Sequence, residues 1–196
     1  MPSASKRVLL LAATALTLAG VVGARAESAP SAGYVPASSS SKVFPVARSE
    51  WYSVINFSND WHAERMRLVD GKWRRVGFHE GNDILAEPGT PVRAVTAGNI
   101  ERAGWLFYSG WRVGIRGDDG RYWFYAHLSE APSVAEGQRV DAGDPIGKVG
   151  NTGYGPRPGH KDEFVAHLHI GIQEPSGAWV NPYPLMKRLY EDAQRR

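Results

Sequence analysis

Three short segments of this chain carry histidines in arrangements that could support metal chemistry, and the first contains His79 and Asp83. Gly81 and Asn82 lie between these two residues and disfavour a helix there. In an extended segment, residues four apart return to the same face, so both side chains can point towards one ion. The same short pattern is also typical of a surface turn. His79 and Asp83 are therefore candidate metal ligands that need a partner from elsewhere in the chain.

The second segment contains His167 and His169, which alternate with apolar residues. In a strand, both imidazoles lie on one face, and the other face carries Ala166, Leu168, Ile170 and Ile172. Two adjacent imidazoles are costly when both are buried and charged, and a metal ion or a shared acidic group removes that cost. A pair of solvent-facing histidines is the alternative that the pattern leaves open.

The third segment runs from Trp123 to Ser129, is aromatic, and places His127 on the same face as Trp123 and Tyr125 if it is extended. A single histidine at the end of a strand is more often structural than catalytic. Its occurrence together with the other two segments in one short, cysteine-free stretch nevertheless favours a joint function.

The number of these side chains matches what metal-assisted hydrolysis requires. A catalytic zinc ion takes three protein ligands and keeps one coordination position for water. His79, Asp83 and either His167 or His169 would supply the three, and the spacing does not decide between the last two. The two remaining histidines could take a proton from the attacking water, stabilise the oxyanion and protonate a leaving amine. The set therefore predicts hydrolysis of an amide bond.

The segments that must position these side chains have the pattern of short strands. Between residues 76 and 183, apolar runs alternate with Gly, Pro, Asn and Asp. Asp118-Asp119-Gly120 is a hairpin signal because glycine tolerates positive φ. Only residues 185–196 have a helical pattern, that of a polar tail. We predict a mainly β protein: a compact antiparallel β-barrel or sandwich-like domain with an open groove and a short C-terminal helix.

The first 26 residues of the chain predict export. Lys6 and Arg7 precede an apolar run that ends in Ala-Arg-Ala, the pattern of a cleaved signal peptide. We expect no membrane anchor after cleavage, and a location in the periplasm or outside the cell in association with the wall. The predicted organisation is a signal peptide at 1–26, a flexible Ser-, Ala- and Pro-rich linker at 27–47, a lead-in or regulatory segment at 48–75, the metallopeptidase-like domain at 76–185 and a helical tail at 186–196.

Composition excludes several classes of protein. The chain has no cysteine, which excludes a disulfide framework, a thiol nucleophile and a Cys-ligated zinc site. The net charge of +3 is carried by the predicted signal peptide, so the remainder is formally neutral. A neutral chain lacks the basic stripe that nucleic-acid binding requires, and no nucleic-acid partner is expected.

From Gly77 to Leu185 the motifs resemble those of the lysostaphin/LytM-type zinc metallopeptidases, which cut peptide cross-links of bacterial peptidoglycan. The matching motifs include His79-x-Gly81-x-Asp83, Pro88-Gly89-Thr90-Pro91, Tyr125-Ala126-His127-Leu128-Ser129, Gly150-x-Thr152-Gly153, His167-Leu168-His169 and Val180-Asn181-Pro182. The resemblance implies a barrel-like β fold with a groove across one sheet. It also implies that one Zn²⁺ per chain is bound by His79, Asp83 and His169, and that His127 and His167 are the catalytic pair that handles protons and stabilises the transition state.

The resemblance further implies peptidoglycan as the binding partner and substrate. Residues 154–165 form a longer link than the family pattern has, which predicts an ordered loop on the groove rim. The aromatic run 105–111 could form a groove wall or belong to the core. His160 could touch substrate or be a solvated loop residue. The side chains that we expect to contact substrate are Tyr125, Trp105, Trp111, Tyr154 and His160.

Two functions follow from these patterns. The first is an exported zinc metalloendopeptidase that hydrolyses peptidoglycan stem or cross-link peptides through a metal-activated water. The alternative is a catalytically silent or latent wall-binding module that activates other cell-wall hydrolases. The presence of all five His and Asp residues favours the enzyme. Some relatives carry an N-terminal segment that covers the groove and supplies a fourth ligand, and the lead-in around Asn56 and Asn59 would allow such latency. The sequence identifies no regulatory partner.

Overall fold

The computed structural model describes residues 41–47, 55–161 and 164–195. The predicted signal peptide and most of the predicted linker lie outside the described residues, as does the start of the lead-in. The described chain forms these elements in order: β1 (Glu64–Val69), β2 (Lys72–Phe78), β3 (Asn82–Leu85), β4 (Pro91–Arg93), β5 (Gly98–Leu106), β6 (Gly110–Gly117), β7 (Tyr122–Leu128), β8 (Arg139–Val140), β9 (Pro145–Lys148), β10 (His167–Gln173), β11 (Trp179–Val180) and α1 (Tyr183–Gln194).

Seven of these strands form one antiparallel sheet in the order β11-β10-β7-β6-β5-β8, and β3 pairs with β10 on the edge that β11 also uses. The hairpin β1-β2 and the pair β4-β9 form two smaller sheets. In the described part of the chain, the end strands of the large sheet do not pair with each other, so the sheet stays open. The prediction of a mainly β, antiparallel fold with a short C-terminal helix is confirmed. The described chain does not form a closed barrel.

The alternation of side chains along β7 and β10 decides which residues enter the core. Trp123, Tyr125, Leu168 and Ile170 are fully buried on one face of the sheet. Burying each of these side chains contributes on the order of 1.5–3 kcal/mol to the free energy of unfolding. The opposite face of β10 presents His167 and His169, as the period of two requires.

The lead-in contains a β-hairpin that the sequence analysis missed. Strands β1 and β2 are joined by Asp70 and Gly71, whose φ angles are 50° and 71°. Two consecutive positive φ angles are typical of a tight two-residue hairpin turn, and Asp-Gly is a favoured sequence for it. The predicted lead-in at 48–75 therefore contributes regular β-structure to the fold.

Residues 43–47 belong to the folded core, so a flexible linker can only lie before Val43. Phe44 and Val46 are 7% and 3% exposed. The ring of Phe44 packs against those of Phe57 and Tyr190, with centroids 5.6 Å and 5.1 Å away. The predicted boundary at residue 47 is wrong because these apolar side chains offset the ordering entropy of the segment.

The C-terminal helix also differs from its prediction. It starts at Tyr183, with a proline at its first turn, because proline is tolerated where no intrahelical N–H bond is needed. It is not a free polar tail, since Met186 and Leu189 are buried in the core. Among the described residues, no helix combines the length and the apolarity needed to cross a membrane.

Candidate metal centre

Three potential ligand atoms meet where β3 pairs with β10. The strand register places Asp83 directly opposite His169, and His79 enters from the link between β2 and β3. His79 Nε2 lies 2.9 Å from His169 Nδ1 and 3.0 Å from Asp83 Oδ1, and His169 Nδ1 lies 2.9 Å from the same oxygen. The order of the sheet thus gathers three side chains that are as many as 90 residues apart in sequence.

This triangle of atoms fits a divalent cation. Ligand atoms of a tetrahedral zinc ion, bound at about 2.0–2.2 Å, lie about 3.3 Å from one another. The separations of 2.9–3.0 Å are close to that value. Two ring nitrogens and one carboxylate oxygen are the donor types that zinc prefers in catalytic sites. Within the part of the chain that the structure describes, the three residues form a group able to hold a metal ion.

The two oxygens of Asp83 have different partners. Oδ1 faces the two imidazoles, while Oδ2 lies 3.1 Å from Nη2 of Arg65 on β1. Burial would raise the pKa of Asp83, but hydrogen bonds from His169 and His79 outweigh it and hold the pKa well below its usual range. The carboxylate is therefore ionised, and Arg65 leaves one oxygen available to a metal ion.

The ring of His79 is fixed from its other side by Asp60. Its Nδ1 lies 3.1 Å from the carbonyl oxygen of Asp60 and 3.2 Å from the carboxylate oxygen Oδ2. Both of these oxygens can only accept, so Nδ1 carries a proton and Nε2 is the nitrogen left for a metal. The side chain of His79 is 2% exposed. Metal-binding histidines in proteins are usually oriented in this way.

The pKa values of the two candidate histidine ligands are shifted in opposite directions. Burial would lower the pKa of His79, but hydrogen bonds to the carboxylates of Asp60 and Asp83 raise it to about 9. Burial lowers the pKa of His169, against the effect of its hydrogen bond to Asp83. In the metal-free protein, His79 therefore carries the positive charge that balances the two carboxylates, and a bound cation would displace that proton.

His127 lies beside the candidate ligands and is held in one tautomer. Its Nδ1 donates to the carbonyl oxygen of Thr152 at 2.7 Å. Burial, followed by the nearby charges of His167 and His169, lowers the pKa of His127 to about 3. The ring is therefore neutral at pH 7, with an unprotonated Nε2. Its backbone has φ of 60°, a strained conformation that is often found at functional sites.

His167 is the partner of His127 on the same face. The two ring centroids are 4.8 Å apart, and the ring of Phe164 packs against both, at 4.9 Å and 5.1 Å. Nδ1 of His167 donates to the carbonyl oxygen of Val165 at 2.8 Å. Its Nε2 lies 3.7 Å from Asp83 Oδ1, outside the close triangle that His169 completes. The structure thus brings together all five predicted His and Asp residues, and it is His169 that faces the other two ligands.

A cavity of about 210 Å³ opens over this cluster. Its walls include the ligands His79 and His169, the neighbouring His127, and aromatic side chains from several elements: Phe78, Tyr108, Phe124, Tyr154 and Trp179. Arg65 and Glu80 add charge at its rim. A peptide could lie across the open face of the sheet with polar groups below and aromatic rings beside it.

The side chains predicted to contact substrate do not all line the cavity. Tyr154 lines the cavity, is 40% exposed and stacks on His127 at 6.3 Å. Tyr125 is fully buried and its hydroxyl accepts a hydrogen bond from the Val95 N–H, so the prediction that it contacts substrate is wrong. Tyr125 lies on the core face of β7, and the prediction that His127 shares its face is wrong, because the positive φ of His127 turns that side chain towards the cavity.

The two predicted tryptophans support the loop that follows Gly153. Trp105 and Trp111 pack edge to face at 5.5 Å, and Trp105 Nε1 donates to the carbonyl oxygen of Gly155 at 3.1 Å. Neither is among the residues that line the cavity. His160 is exposed and is hydrogen-bonded through Nδ1 to the carbonyl oxygen of Gly153 at 2.8 Å. Contact of these three side chains with substrate stays a prediction.

The lead-in reaches the metal centre through Asp60 and Arg65, and not through Asn56 or Asn59, which the sequence analysis considered. Asn59 Oδ1 accepts hydrogen bonds from the Trp61 N–H and from Asn181, and Asn56 pairs through its backbone with Leu85. Neither contact supports a fourth ligand over the groove.

Sequence reasoning missed Asp60 and Arg65 as parts of the site. Tyr108, which lines the cavity, belongs to the aromatic run 105–111 that was considered as a groove wall. The alternation of Arg65 and Arg67 with Met66 and Leu68 is a strand signal that could have placed the arginines on one face. Arg67 lies over the ring of Tyr108 at 5.0 Å and so holds the hairpin against the cavity wall. No sequence signal singles out Asp60.

The chain is similar to known peptidases in sequence and in fold. The profile of peptidase family M23 matches residues 77–182. The L-Ala–D-Glu endopeptidase of Bacillus subtilis is 42% identical over 118 residues, which cover 58% of this chain and 35% of that protein. This chain therefore spans about a third of the length of that relative.

Two solved structures share the fold. A Ruminococcus gnavus protein, assigned as a glycyl-glycine endopeptidase of the LytM type, superposes with a TM-score of 0.66 at 36% identity, over 76% of this chain and 61% of that one. A zinc-containing peptidase from Vibrio cholerae gives a TM-score of 0.53 at 25% identity, over 72% of this chain and 39% of that one.

The open antiparallel sheet and the His/Asp/His triangle on its face define a metallopeptidase-like domain. Since the family profile covers more than half of the sequence, the chain belongs to peptidase family M23. The resemblance to LytM-type proteins drawn from the motifs is thereby confirmed.

Proposed function

We propose that this chain is an exported, zinc-dependent endopeptidase that hydrolyses amide bonds in peptidoglycan stem or cross-link peptides. The observation that supports it best is the set of three ligand atoms within 3.0 Å of one another, beside two further histidines and open to a cavity. Three ligands and two proton-handling groups are what metal-assisted amide hydrolysis needs.

His79, Asp83 and His169 would hold one zinc ion. Zinc bound there would lower the pKa of a bound water to about 7 and polarise a substrate carbonyl. Arg65 contacts Asp83 at Oδ2, and Asp60 contacts His79 at Nδ1, so each contact leaves the proposed ligand atom free. The open edge of the cavity would admit a peptide, and the surrounding rings would exclude bulk water from the reacting bond.

His127 and His167 would handle the protons. Because His127 is neutral and uses Nδ1 on Thr152, its Nε2 can accept a proton from the attacking water. The same nitrogen, once protonated, can give that proton to the leaving amine. Nε2 of His167 lies 3.7 Å from Asp83 Oδ1, beside the candidate metal ligands, and a proton on this nitrogen would stabilise an oxyanion formed there.

The proposal also concerns the cell compartment in which the chain acts and the peptide bond that it cuts. The predicted signal peptide supports the periplasm or the wall outside the cell, where peptidoglycan is found. The relatives include an L-Ala–D-Glu endopeptidase and a protein assigned as a glycyl-glycine endopeptidase, so similarity alone does not select the bond.

The proposal is tested with residues 27–196, loaded with one equivalent of zinc and incubated with cross-linked sacculi. We expect new amine termini in the soluble products, and the masses of the fragments would identify the bond. The zinc-loaded His127→Asn variant is the matched control and should release few or none. A wild-type chain that holds zinc but produces no new amines would instead support the wall-binding regulatory alternative.

A further inference from the structure

The carboxylate of Asp60 makes hydrogen bonds to three groups in the segment that carries two of the metal ligands. Its Oδ2 lies 3.2 Å from His79 Nδ1 and accepts from the backbone N–H of Asp83 at 3.2 Å. Its Oδ1 accepts from the side-chain amide of Asn82 at 2.6 Å. One carboxylate therefore connects the ring of one candidate ligand to the backbone of another.

The segment around Asp60 is itself held in place. The amide of Asn82, which is fully buried, also donates to the carbonyl oxygen of Ser58 at 2.7 Å. The backbone of His79 exchanges hydrogen bonds with His62 and Ala63, both at 2.9 Å. Hydrogen bonds on both sides of Asp60 in the chain therefore fix this residue relative to the ligands.

These contacts restrict how His79 can bind a metal. Both the carbonyl and the carboxylate of Asp60 accept at Nδ1, so only Nε2 remains free, and it lies 2.9 Å from Nδ1 of His169. A carboxylate that accepts from the far nitrogen of a metal-bound histidine fixes its tautomer and ring orientation. Removing such a partner typically lowers metal affinity about 10–100-fold.

We propose that Asp60 is a positioning residue of the metal centre, which holds His79 and the backbone of Asp83 in the arrangement that binds a divalent cation. The inference rests on the proposed zinc site but concerns metal binding rather than peptide cleavage. It makes the lead-in a structural part of the centre.

The test uses Asp60→Asn, which keeps the size of the side chain. In either orientation of the new amide, its NH₂ group replaces an oxygen that accepts a hydrogen bond and therefore faces a donor. That donor is the amide of Asn82 in one orientation, and His79 Nδ1–H with the Asp83 N–H in the other. Zinc affinity of the full chain is measured by competition with a chromophoric chelator at pH 7 and pH 9, because protons compete with zinc for His79. We expect at least a tenfold loss at both values. The matched control is Asp118→Asn, whose carboxylate pairs with Arg139 at 2.6 Å, and it should stay within twofold of wild type.

A loss smaller than twofold in folded Asp60→Asn overturns the inference. The zinc-loaded wild type gives a second test that does not depend on the variant folding. Nitrogen-15 NMR of the histidines should show His79 protonated at Nδ1 and metal-bound at Nε2, and metal bound at Nδ1 overturns the inference as well. If zinc binds and depends on Asp60 while sacculi stay uncut, the inference stands and the proposed function fails. If the wild type binds no zinc, both fail.

Discussion

His127 donates its Nδ1 proton to the carbonyl oxygen of Thr152 across 2.7 Å. Thr152 is fully buried, and its own hydroxyl donates to the carbonyl oxygen of Leu128 at 2.6 Å, which holds the acceptor beside the ring. The Gly150-x-Thr152-Gly153 motif therefore has a role in orienting a candidate catalytic side chain. The proton is kept on one nitrogen, and the other nitrogen is left to react.

The first prediction concerns the pH dependence of stability in the zinc-free protein. The pKa of His127 is lowered, mainly by burial, from 6.5 to about 3. Between these values the unfolded chain binds a proton that the folded chain does not, so this residue's contribution to the free energy of unfolding is complete above pH 6.5. It is lost as the pH falls from 6.5 towards 3, at up to about 1.4 kcal/mol per pH unit. Urea unfolding at several pH values measures this slope.

The control for that experiment is His127→Asn, because asparagine does not titrate and tolerates the positive φ at this position. The variant should lose less stability than wild type over the same pH range. Equal slopes in the two proteins would mean that His127 is not held neutral by the fold.

The second prediction separates metal binding from proton transfer. His79→Ala removes one vertex of the ligand triangle and should abolish measurable zinc binding. His127→Asn should keep zinc affinity but lower the rate of peptide hydrolysis by about 10²–10⁴-fold. Zinc titration and a cleavage assay on the same preparations measure both quantities. Equal metal loss in the two variants would contradict the assigned roles.

The third prediction concerns Gly81, which lies directly against the His169 ring. A methyl group at this position would overlap the ring and the carbonyl oxygen of Ile170. Gly81→Ala should therefore displace His169 and lower zinc affinity at least tenfold. Gly77→Ala is the matched control, since an added Cβ there meets no atom within 4 Å. If both variants bind zinc like wild type, the centre does not need His169 in its present position.

The fourth prediction tests whether the residues before the domain belong to the fold. Phe44→Ala removes a ring that is 7% exposed and packs on Phe57 and Tyr190, and it should cost about 3–5 kcal/mol of stability. Phe107→Ala, at a position 44% exposed, should cost less than about 1 kcal/mol. Chemical denaturation measures both. Similar losses would show that residues 43–47 do not contribute to the core.

Much of the site could be predicted from the sequence because it depends on local periodicity. Alternation along 167–173 correctly placed His167 and His169 on the face opposite Leu168 and Ile170. The motif order supported the family and the β fold. Alternation fails where the backbone leaves the extended conformation. His127 has a φ of 60° and faces the cavity, whereas Tyr125, two residues earlier, has its side chain in the core.

Contacts between distant segments could not be predicted from local patterns. Asp60 meets His79 and Arg65 meets Asp83 only because the lead-in folds back along β3, and nothing in the sequence near these residues specifies that path. The packing of Phe44 against the C-terminal helix is of the same kind. Composition indicated a linker there, and the long-range apolar contacts override that local signal.

The central claim is that three side chains bind one zinc ion, and crystals of the full chain grown with zinc test it most directly. Diffraction data collected above the zinc absorption edge should give a single anomalous peak about 2.0–2.2 Å from His79 Nε2, His169 Nδ1 and an oxygen of Asp83. No peak at this position, or a peak bound through His167 in place of His169, would contradict the account.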